Sequence, residues 1–370
     1  MQASDNQIAL AKKFSSILLI GPPMGEKLIR LVAHLFTDEE AAVARHLPFY
    51  IPGSIKKIAR RSRAEEESIC PLLDSLAERK IILRTRRGYS LLPLVPGMFE
   101  FMLINGVDSQ WHRQYAVLLN DLFASGYIKH YTGKRIPGIR NIPVAQSSEV
   151  ESRVMNAAMI SEMIDSHENF AVANVCQCRQ SISFDGGECK RADIADGCLI
   201  FGSFARGSAK SGSARSVTKE EMREIVDDRR RKNLVFLTAN VSAGSPNAIC
   251  TCCDCCCHFI EAVNHFQGNT FLAPPIFIAS VNEALCNNCG RCVKACNTCA
   301  HTLNDRVHSY DKSRCIGCGL CVDSCKPGAI SMKANPGYKK PAGSFRNLGI
   351  KLLPALAVSG LLAWFSRRMR

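Results

Sequence analysis

The 370 residues are enough for two or three domains of roughly 100 to 200 residues each. Hydrophobic residues at 46% and charged residues at 22% argue against a globally disordered chain, a collagen and a polytopic membrane protein. Twenty cysteines set the chain apart, and nineteen of them fall between Cys176 and Cys325, many one to three residues from the next. Neighbours that close suit a shared metal better than a bridge to a distant partner, and the chain is too long to need the disulfide framework of a small secreted domain. Half of the formal net charge of +14 is local: Lys339, Lys340, Arg346, Lys351, Arg367, Arg368 and Arg370 lie between Ala334 and Arg370 with no acid among them. Such a run reads as an interaction tail for an anionic surface.

In residues 1–25, an N-terminal segment, Lys12 and Lys13 precede the apolar run Phe14 to Ile20. That run is at the short limit for an export signal, and no small-residue cleavage site precedes Pro22 and Pro23. The expectation is a cytoplasmic protein whose thiols stay free for metal.

Residues 26–105 predict helix, helix, turn, helix, hairpin. Thr37 with Glu40 and Ser62 with Glu65 read as capping boxes, and Ser54 precedes a short helix buried through Ile55, Ile58 and Ala59. Ile69, Leu72, Leu73 and Leu76 recur at helical spacing, and Ile81 to Leu83, the Arg86-Arg87-Gly88 turn and Tyr89 to Leu92 read as strand, turn, strand. The arrangement resembles a winged-helix domain with Arg84, Arg86 and Arg87 on the wing, which implies DNA binding. Against it, Glu65, Glu66 and Glu67 oppose phosphates at the helix that would enter the groove, and Pro71 kinks its middle. Specific DNA binding is therefore not expected, and Cys70 reads as a small core residue.

Residues 106–270 form a Cys-rich α/β middle domain. Trp111 and Tyr115 pack a helix, and Phe170 to Val175 predict a strand that delivers Cys176 to a loop edge. Gly202 to Ser216 reads as a mobile linker carrying Arg206, Lys210 and Arg215, and Thr218 with Glu221 caps the helix that follows. The cysteines here are Cys176, Cys178, Cys189 and Cys198, then Cys250, Cys252, Cys253, Cys255, Cys256 and Cys257 followed by His258. Six thiols in eight residues cannot all point into one core, and adjacent thiolates repel unless a cation compensates them. Ten soft ligands suit one or two further iron-sulfur clusters, or zinc, and spacing does not choose between them.

In residues 271–333, Cys286, Cys289, Cys292 and Cys296 follow C-x-x-C-x-x-C-x-x-x-C, and Cys315, Cys318, Cys321 and Cys325 repeat it. Three cysteines at this spacing wrap one cubane while the fourth reaches the other, so Cys286, Cys289, Cys292 and Cys325 are assigned to one 4Fe-4S cluster and Cys315, Cys318, Cys321 and Cys296 to a second. Two oxidised clusters at about −2 each bring the working charge to about +10. Gly290, Gly317 and Gly319 let the loops bend, and Cys299 is either buried and inert or a spare ligand. The segment resembles a bacterial two-cluster ferredoxin domain, with Asn297 and Lys326 where that family places proline after the fourth cysteine.

The order winged helix, Cys-Gln-Cys-Arg, Cys198 to Gly202 (Cys-Leu-Ile-Phe-Gly), Cys-x-Cys-Cys-x-Cys-Cys-Cys and two-cluster ferredoxin is similar to a family of anaerobe 4Fe-4S binding proteins. That resemblance runs from about Ile29 to Met332 and implies electron transfer. Residues 334–370 add a basic linker and a hydrophobic C-terminal helix, whose uncharged run Leu352 to Phe365 spans roughly 21 Å against a hydrocarbon core of about 30 Å. It predicts membrane association through a short anchor, with Lys351 snorkelling. The fold class expected is α+β multidomain. The function expected is single-electron transfer through two 4Fe-4S clusters to or from redox partner proteins and a further metal centre. A redox-sensing winged-helix regulator and a substrate-binding oxidoreductase subunit are the alternatives, and no catalytic triad, phosphate loop or dinucleotide fingerprint supports an independent enzyme.

Overall fold

The computed structural model describes residues 2–16, 21–49, 51–98, 101–131, 136–144, 160–242, 247–266 and 268–368. The chain forms two compact units: Met1–Tyr131 with Gln180–Gly187 and Leu356–Arg370, and Thr132–Arg179 with Glu188–Ala355.

The first unit opens with α1 (Asp5–Phe14), a helix absent from the sequence reading. A capping box starts it: Ser4 Oγ accepts from the Gln7 amide and Gln7 Oε1 accepts from the Ser4 amide. Its Leu10, Ala11 and Phe14 are buried, so the first residue of the apolar run, Phe14, belongs to a core helix, while 17–20 lie outside the described residues. Helices α2 (Glu26–Leu35), α3 (Asp38–Ala44), α4 (Ile55–Ser62) and α5 (Glu66–Glu78) and the antiparallel hairpin β1 (Ile82–Thr85) and β2 (Gly88–Leu91) follow in the expected order. The Thr37–Glu40 capping box is present. The Ser62–Glu65 box is not: Ser62 lies in the last turn of α4, donates back to the Ile58 and Ala59 carbonyls at 3.0 and 3.2 Å, and leaves Glu65 as the cap of α5. Pro71 does not break α5; it forfeits one bond, to a first-turn carbonyl, and burial of Ile69, Leu73 and Leu76 holds the helix through to Glu78. Cys70 is half-buried, its thiol 3.9 Å from Asp74 Oδ2, rather than in the core. In α6 (Gln110–Ala124), Trp111 stacks on Tyr115 and on His34.

The second unit is built on a six-stranded sheet of β3 (Ile139–Ile142), β4 (Phe170–Ala173), β5 (Leu199–Phe201), β6 (Ala214–Val217), β7 (Val235–Ala239) and β8 (Ala248–Cys252), in the order β3-β7-β8-β5-β4-β6. Every neighbouring pair is antiparallel. The α/β expectation for this region is thereby corrected, because a parallel sheet needs crossovers that return each strand in the same sense and here they reverse it. Helices α7 (Ile160–Asp165), α9 (Gly202–Lys210), α10 (Lys219–Arg231) and α11 (His258–His265) accompany it, as do the first residues, Gln177 to Arg179, of α8 (Gln177–Phe184), whose remainder is counted with the first unit. The supposed linker Gly202 to Ser216 is α9 and β6: Ala205 and Ser208 are buried, β6 pairs with β4, and Arg215 is held by Glu221. Thr218 caps α10 as expected, accepting from the Glu221 amide.

The C-terminal cysteine segment adds β9 (Phe277–Val281), α12 (Arg291–Ala295), the hairpin β10 (His301–Asn304) and β11 (Val307–Tyr310), α13 (Leu320–Ser324) and β12 (Ile330–Ala334), with β12 antiparallel to β9. Its Ile316 and Leu320 share the core of Phe170, Leu199, Phe236 and Ile249 from the sheet. A final helix, α14, runs Phe345–Arg368 with Lys351 and Pro354 inside it. Among the described residues no helix is long and apolar enough to cross a membrane, and the anchor expected from Leu352 to Phe365 is not supported. Arg370 lies outside the described residues.

Candidate metal centres

Strand register brings the middle cysteines together. Cys250 and Cys252, two apart on β8, face the same side of the sheet. Because Leu199 pairs with Ile249 in the antiparallel β5–β8 ladder, Cys198 falls opposite Cys250, and their sulfurs are 3.7 Å apart. On the other side, Gly197 lets the chain entering Cys198 lie close against β4, since a Cβ there would be 2.0 Å from the Ala173 carbonyl oxygen at its end. Just beyond β4 come Cys176, whose amide donates to the Ile194 carbonyl at 2.7 Å, and Cys178 in the first turn of α8. Cys257 caps α11.

These six thiols act on one another in the order Cys198, Cys250, Cys252, Cys257, Cys178, Cys176, with Cys198 donating to Cys250 at 3.7 Å, and the direction in which each thiol's acidity is shifted alternates along it. Bonds from Cys198 and Cys252 hold Cys250 well below the usual thiol range, and bonds from Cys178 and Cys252 do the same for Cys257. The three donors Cys198, Cys252 and Cys178 are correspondingly pushed up. Cys176 is lowered by its bond with Cys178 and by the Arg179 guanidinium. Six thiols gathered on one side of the sheet, three of them made more acidic by their neighbours, are a donor set suited to soft metal.

The other four middle cysteines form a second group. Cys189, Cys253, Cys255 and Cys256 have their sulfurs within 4.8 Å of one another. Cys253 is lowered to about 5 by a bond from Cys256 and by Arg179, whereas burial raises Cys255 to about 11. His258 does not join either group; it is buried with Nδ1 3.1 Å from Glu261 Oε2.

Arg179 sits between the two groups and is 1% exposed. Its Nη1 donates to the Asp196 carbonyl and its Nη2 to the Thr251 carbonyl, both at 2.8 Å. One side chain thus ties the Cys176–Cys178 turn to the residues before Cys198 and to the β8 cysteines. Burial opposes its charge, but Cys176, Cys253 and Cys189 hold it protonated. A second clamp joins Arg191 to Asp254, with Nε–Oδ1 at 2.6 Å and Nη2–Oδ2 at 2.8 Å, and fastens the Cys189 loop over the turn carrying Cys253, Cys255 and Cys256.

In the C-terminal segment the eight cysteines line two cavities. Cys286, Cys289, Cys292 and Cys325 line the first, and Cys296, Cys315, Cys318 and Cys321 the second. The fourth cysteine of each motif thus sits with the three leading cysteines of the other. Gly290, Gly317 and Gly319 take positive φ of 70°, 73° and 85° at the turns. Burial pushes Cys318 up to about 12, and the Ala300 amide donates to Cys296 Sγ at 3.3 Å. Cys299 is exposed, with φ 53°, and lines neither cavity, so it is not the buried residue considered from sequence.

Sequence reasoning missed two features here. His308 lines the first cavity and His301 the second, with Nδ1 of His301 2.9 Å from Nε2 of His308 and the rings stacked. Burial, then His308, hold His301 down to about 4. Their positions on facing strands of a hairpin were the available signal. Asn297, at the position of the family's proline, is 1% exposed and accepts from the Asp254 amide at 3.0 Å through Oδ1 while its Nδ2 donates to the Asn233 carbonyl at 2.8 Å. Its own carbonyl accepts from Asn264 at 2.9 Å. Together with the Arg230–Asp323 ion pair, with Nε–Oδ2 at 2.5 Å and Nη2–Oδ1 at 2.7 Å, these bonds dock the cavity-bearing segment on the sheet.

The family of 4Fe-4S binding domains (Fer4) matches residues 308–331, which contain Cys315, Cys318, Cys321 and Cys325. No curated protein and no solved structure matches the chain. The chain therefore carries a 4Fe-4S binding segment beside a middle region whose cysteines are grouped for metal.

Proposed function

We propose that the chain is an iron-sulfur electron-transfer protein whose segment 271–333 holds two 4Fe-4S clusters and passes single electrons between a partner oxidoreductase and a metal centre among the middle cysteines. The observation that carries this reading is the division of eight cysteines into two four-cysteine cavities with the fourth ligands exchanged. Bound there, a 4Fe-4S cluster supplies one-electron redox chemistry. The residues around it bind and tune: four thiolates each, the Ala300 amide on Cys296, and His301 and His308 packed between the cavities. The first cavity has exposed Cys289 on its rim and faces a redox partner protein. The second lies inward, with Ile316 and Leu320 in the core of the sheet that carries the middle thiols.

Specific DNA binding forms no part of this reading. Arg84 is paired with Asp74 at 2.9 Å, and Glu66 and Glu67 occupy the first turn of α5. Membrane attachment, if α14 makes it, is surface contact through exposed Ile350 and Leu353.

Cysteine substitutions in the full chain test the exchanged ligation. Cys286→Ser and Cys325→Ser are expected to remove one and the same reduced-state EPR signal, and Cys296→Ser and Cys315→Ser the other. Pairing of Cys286 with Cys296 instead would overturn the exchange, and zinc in place of iron would overturn electron transfer itself.

Gly317→Ala separates the cavities by geometry. A Cβ at this φ would meet the Phe277 carbonyl oxygen at 2.1 Å and Pro275 Cβ at 2.7 Å. The expected result is loss of about four iron and four sulfide per chain, with the signal removed by Cys315→Ser absent and the other retained. Full iron content in this variant would show that the second loop is not built as described.

A further inference from the structure

The two groups of middle cysteines differ in shape, and the difference assigns a ligand to one of them. Cys189 Sγ lies 3.8 Å from Cys253 Sγ and 3.7 Å from Cys255 Sγ, Cys255 lies 3.7 Å from Cys256, and all four sulfurs fall within 4.8 Å of one another. Four sulfurs placed tetrahedrally about 2.3 Å from one ion are about 3.8 Å apart. In a 4Fe-4S cubane each thiolate binds a different iron with the iron-sulfide body between them, so four ligands cannot close to this spacing. The cysteines of segment 286–325 behave as that requires: they line cavities, and among the described residues no four of them come so near.

The surroundings fit a closed tetrathiolate. Cys253 and Cys256 are buried, and Cys189 and Cys255 are half-buried. The Lys190 amide donates to Cys255 Sγ at 3.4 Å, a bond of the kind that orients a thiolate ligand. Buried Arg179 supplies positive charge beside Cys189 and Cys253, offsetting the net −2 of four thiolates on a divalent ion. The Arg191–Asp254 clamp holds the loop that carries Cys189 onto the turn that carries the other three.

We propose that Cys189, Cys253, Cys255 and Cys256 bind one soft divalent ion, zinc or iron, as a tetrahedral tetrathiolate separate from both cluster cavities and from the six-thiol chain. The site deepens the proposed function by fixing what part of the middle metal is, and it stands without electron transfer, since zinc there would be redox-inert.

The test uses the full chain purified without oxygen. Stoichiometric zinc with four sulfurs at about 2.3 Å in its X-ray absorption shell identifies a zinc site. A high-spin ferric EPR signal on mild oxidation, distinct from any cluster signal, identifies an iron site. Cys189→Ser and Cys253→Ser are expected to lower that one element by about one ion per chain, leaving acid-labile sulfide and the signals of the two cavities unchanged. Finding neither signature in the unsubstituted protein, or loss of sulfide together with several irons in Cys189→Ser while the cavity signals persist, would overturn the proposal. The unsubstituted measurement decides even if Cys253→Ser does not fold, and the cavity signals report separately on the electron-transfer reading.

Discussion

Arg179→Ala is expected to dismantle the middle cysteine centre and to lower the stability of its unit by about 3–5 kcal/mol, the cost of breaking a buried charge arrangement on one side. The guanidinium is 1% exposed and bonds the Asp196 and Thr251 carbonyls at 2.8 Å, so its loss leaves two buried carbonyls without those donors. It also removes the cation beside Cys176, Cys189 and Cys253, so negative charge gathered on these sulfurs loses its compensation. Arg179→Lys keeps the charge but not the planar fork that reaches both carbonyls, and should fall between wild type and alanine. Denaturant unfolding together with zinc, iron and sulfide analysis measures both effects. Unchanged metal content and an unchanged midpoint in the alanine variant would show that Arg179 is only a filler of space.

Asn297→Pro restores the residue expected after the fourth cysteine of a ferredoxin motif, and it is nevertheless expected to harm this protein. Proline cannot accept from the Asp254 amide or donate to the Asn233 carbonyl. Leaving those two groups unsatisfied costs about 1–3 kcal/mol each, so a loss of about 2–6 kcal/mol is expected. All eight cavity cysteines lie within the segment, so on the proposed ligation both cavity EPR signals should survive in variant protein that remains folded. Separation should appear as faster amide exchange at the Cys253–Cys257 turn and the start of α12. A variant as stable as wild type would mean that Arg230–Asp323 and the shared core around Ile316 suffice for docking.

What the sequence disclosed follows from how far apart in the chain the interacting groups lie. The grouping of the C-terminal cysteines was legible because each cavity is lined by three cysteines from one short motif, and the placing of Cys296 and Cys325 in the opposite cavities follows from the repeat. The capping box at Thr37, the β4 strand before Cys176 and the β1–β2 hairpin were legible for the same reason. The grouping of the middle ten cysteines was not, because it depends on the β5–β8 register that sets Cys198 opposite Cys250 and on the fold of the Cys189 loop over the turn after β8. Gly202 to Ser216 misled because Gly and Ser composition resembles a linker, while the burial that makes Ala205 helical is tertiary. Arg179 and Asn297 were visible as letters in motifs, but their roles lie in carbonyls and amides supplied by distant strands.

The most direct test of two clusters in one segment is anaerobic reduction of the full chain followed by quantitative EPR. Two filled cavities predict about two unpaired electrons per chain in cluster signals, broadened by mutual interaction and halved by either Cys286→Ser or Cys315→Ser. A single non-interacting signal of about one spin in fully iron-loaded protein, untouched by one of those substitutions, would contradict it.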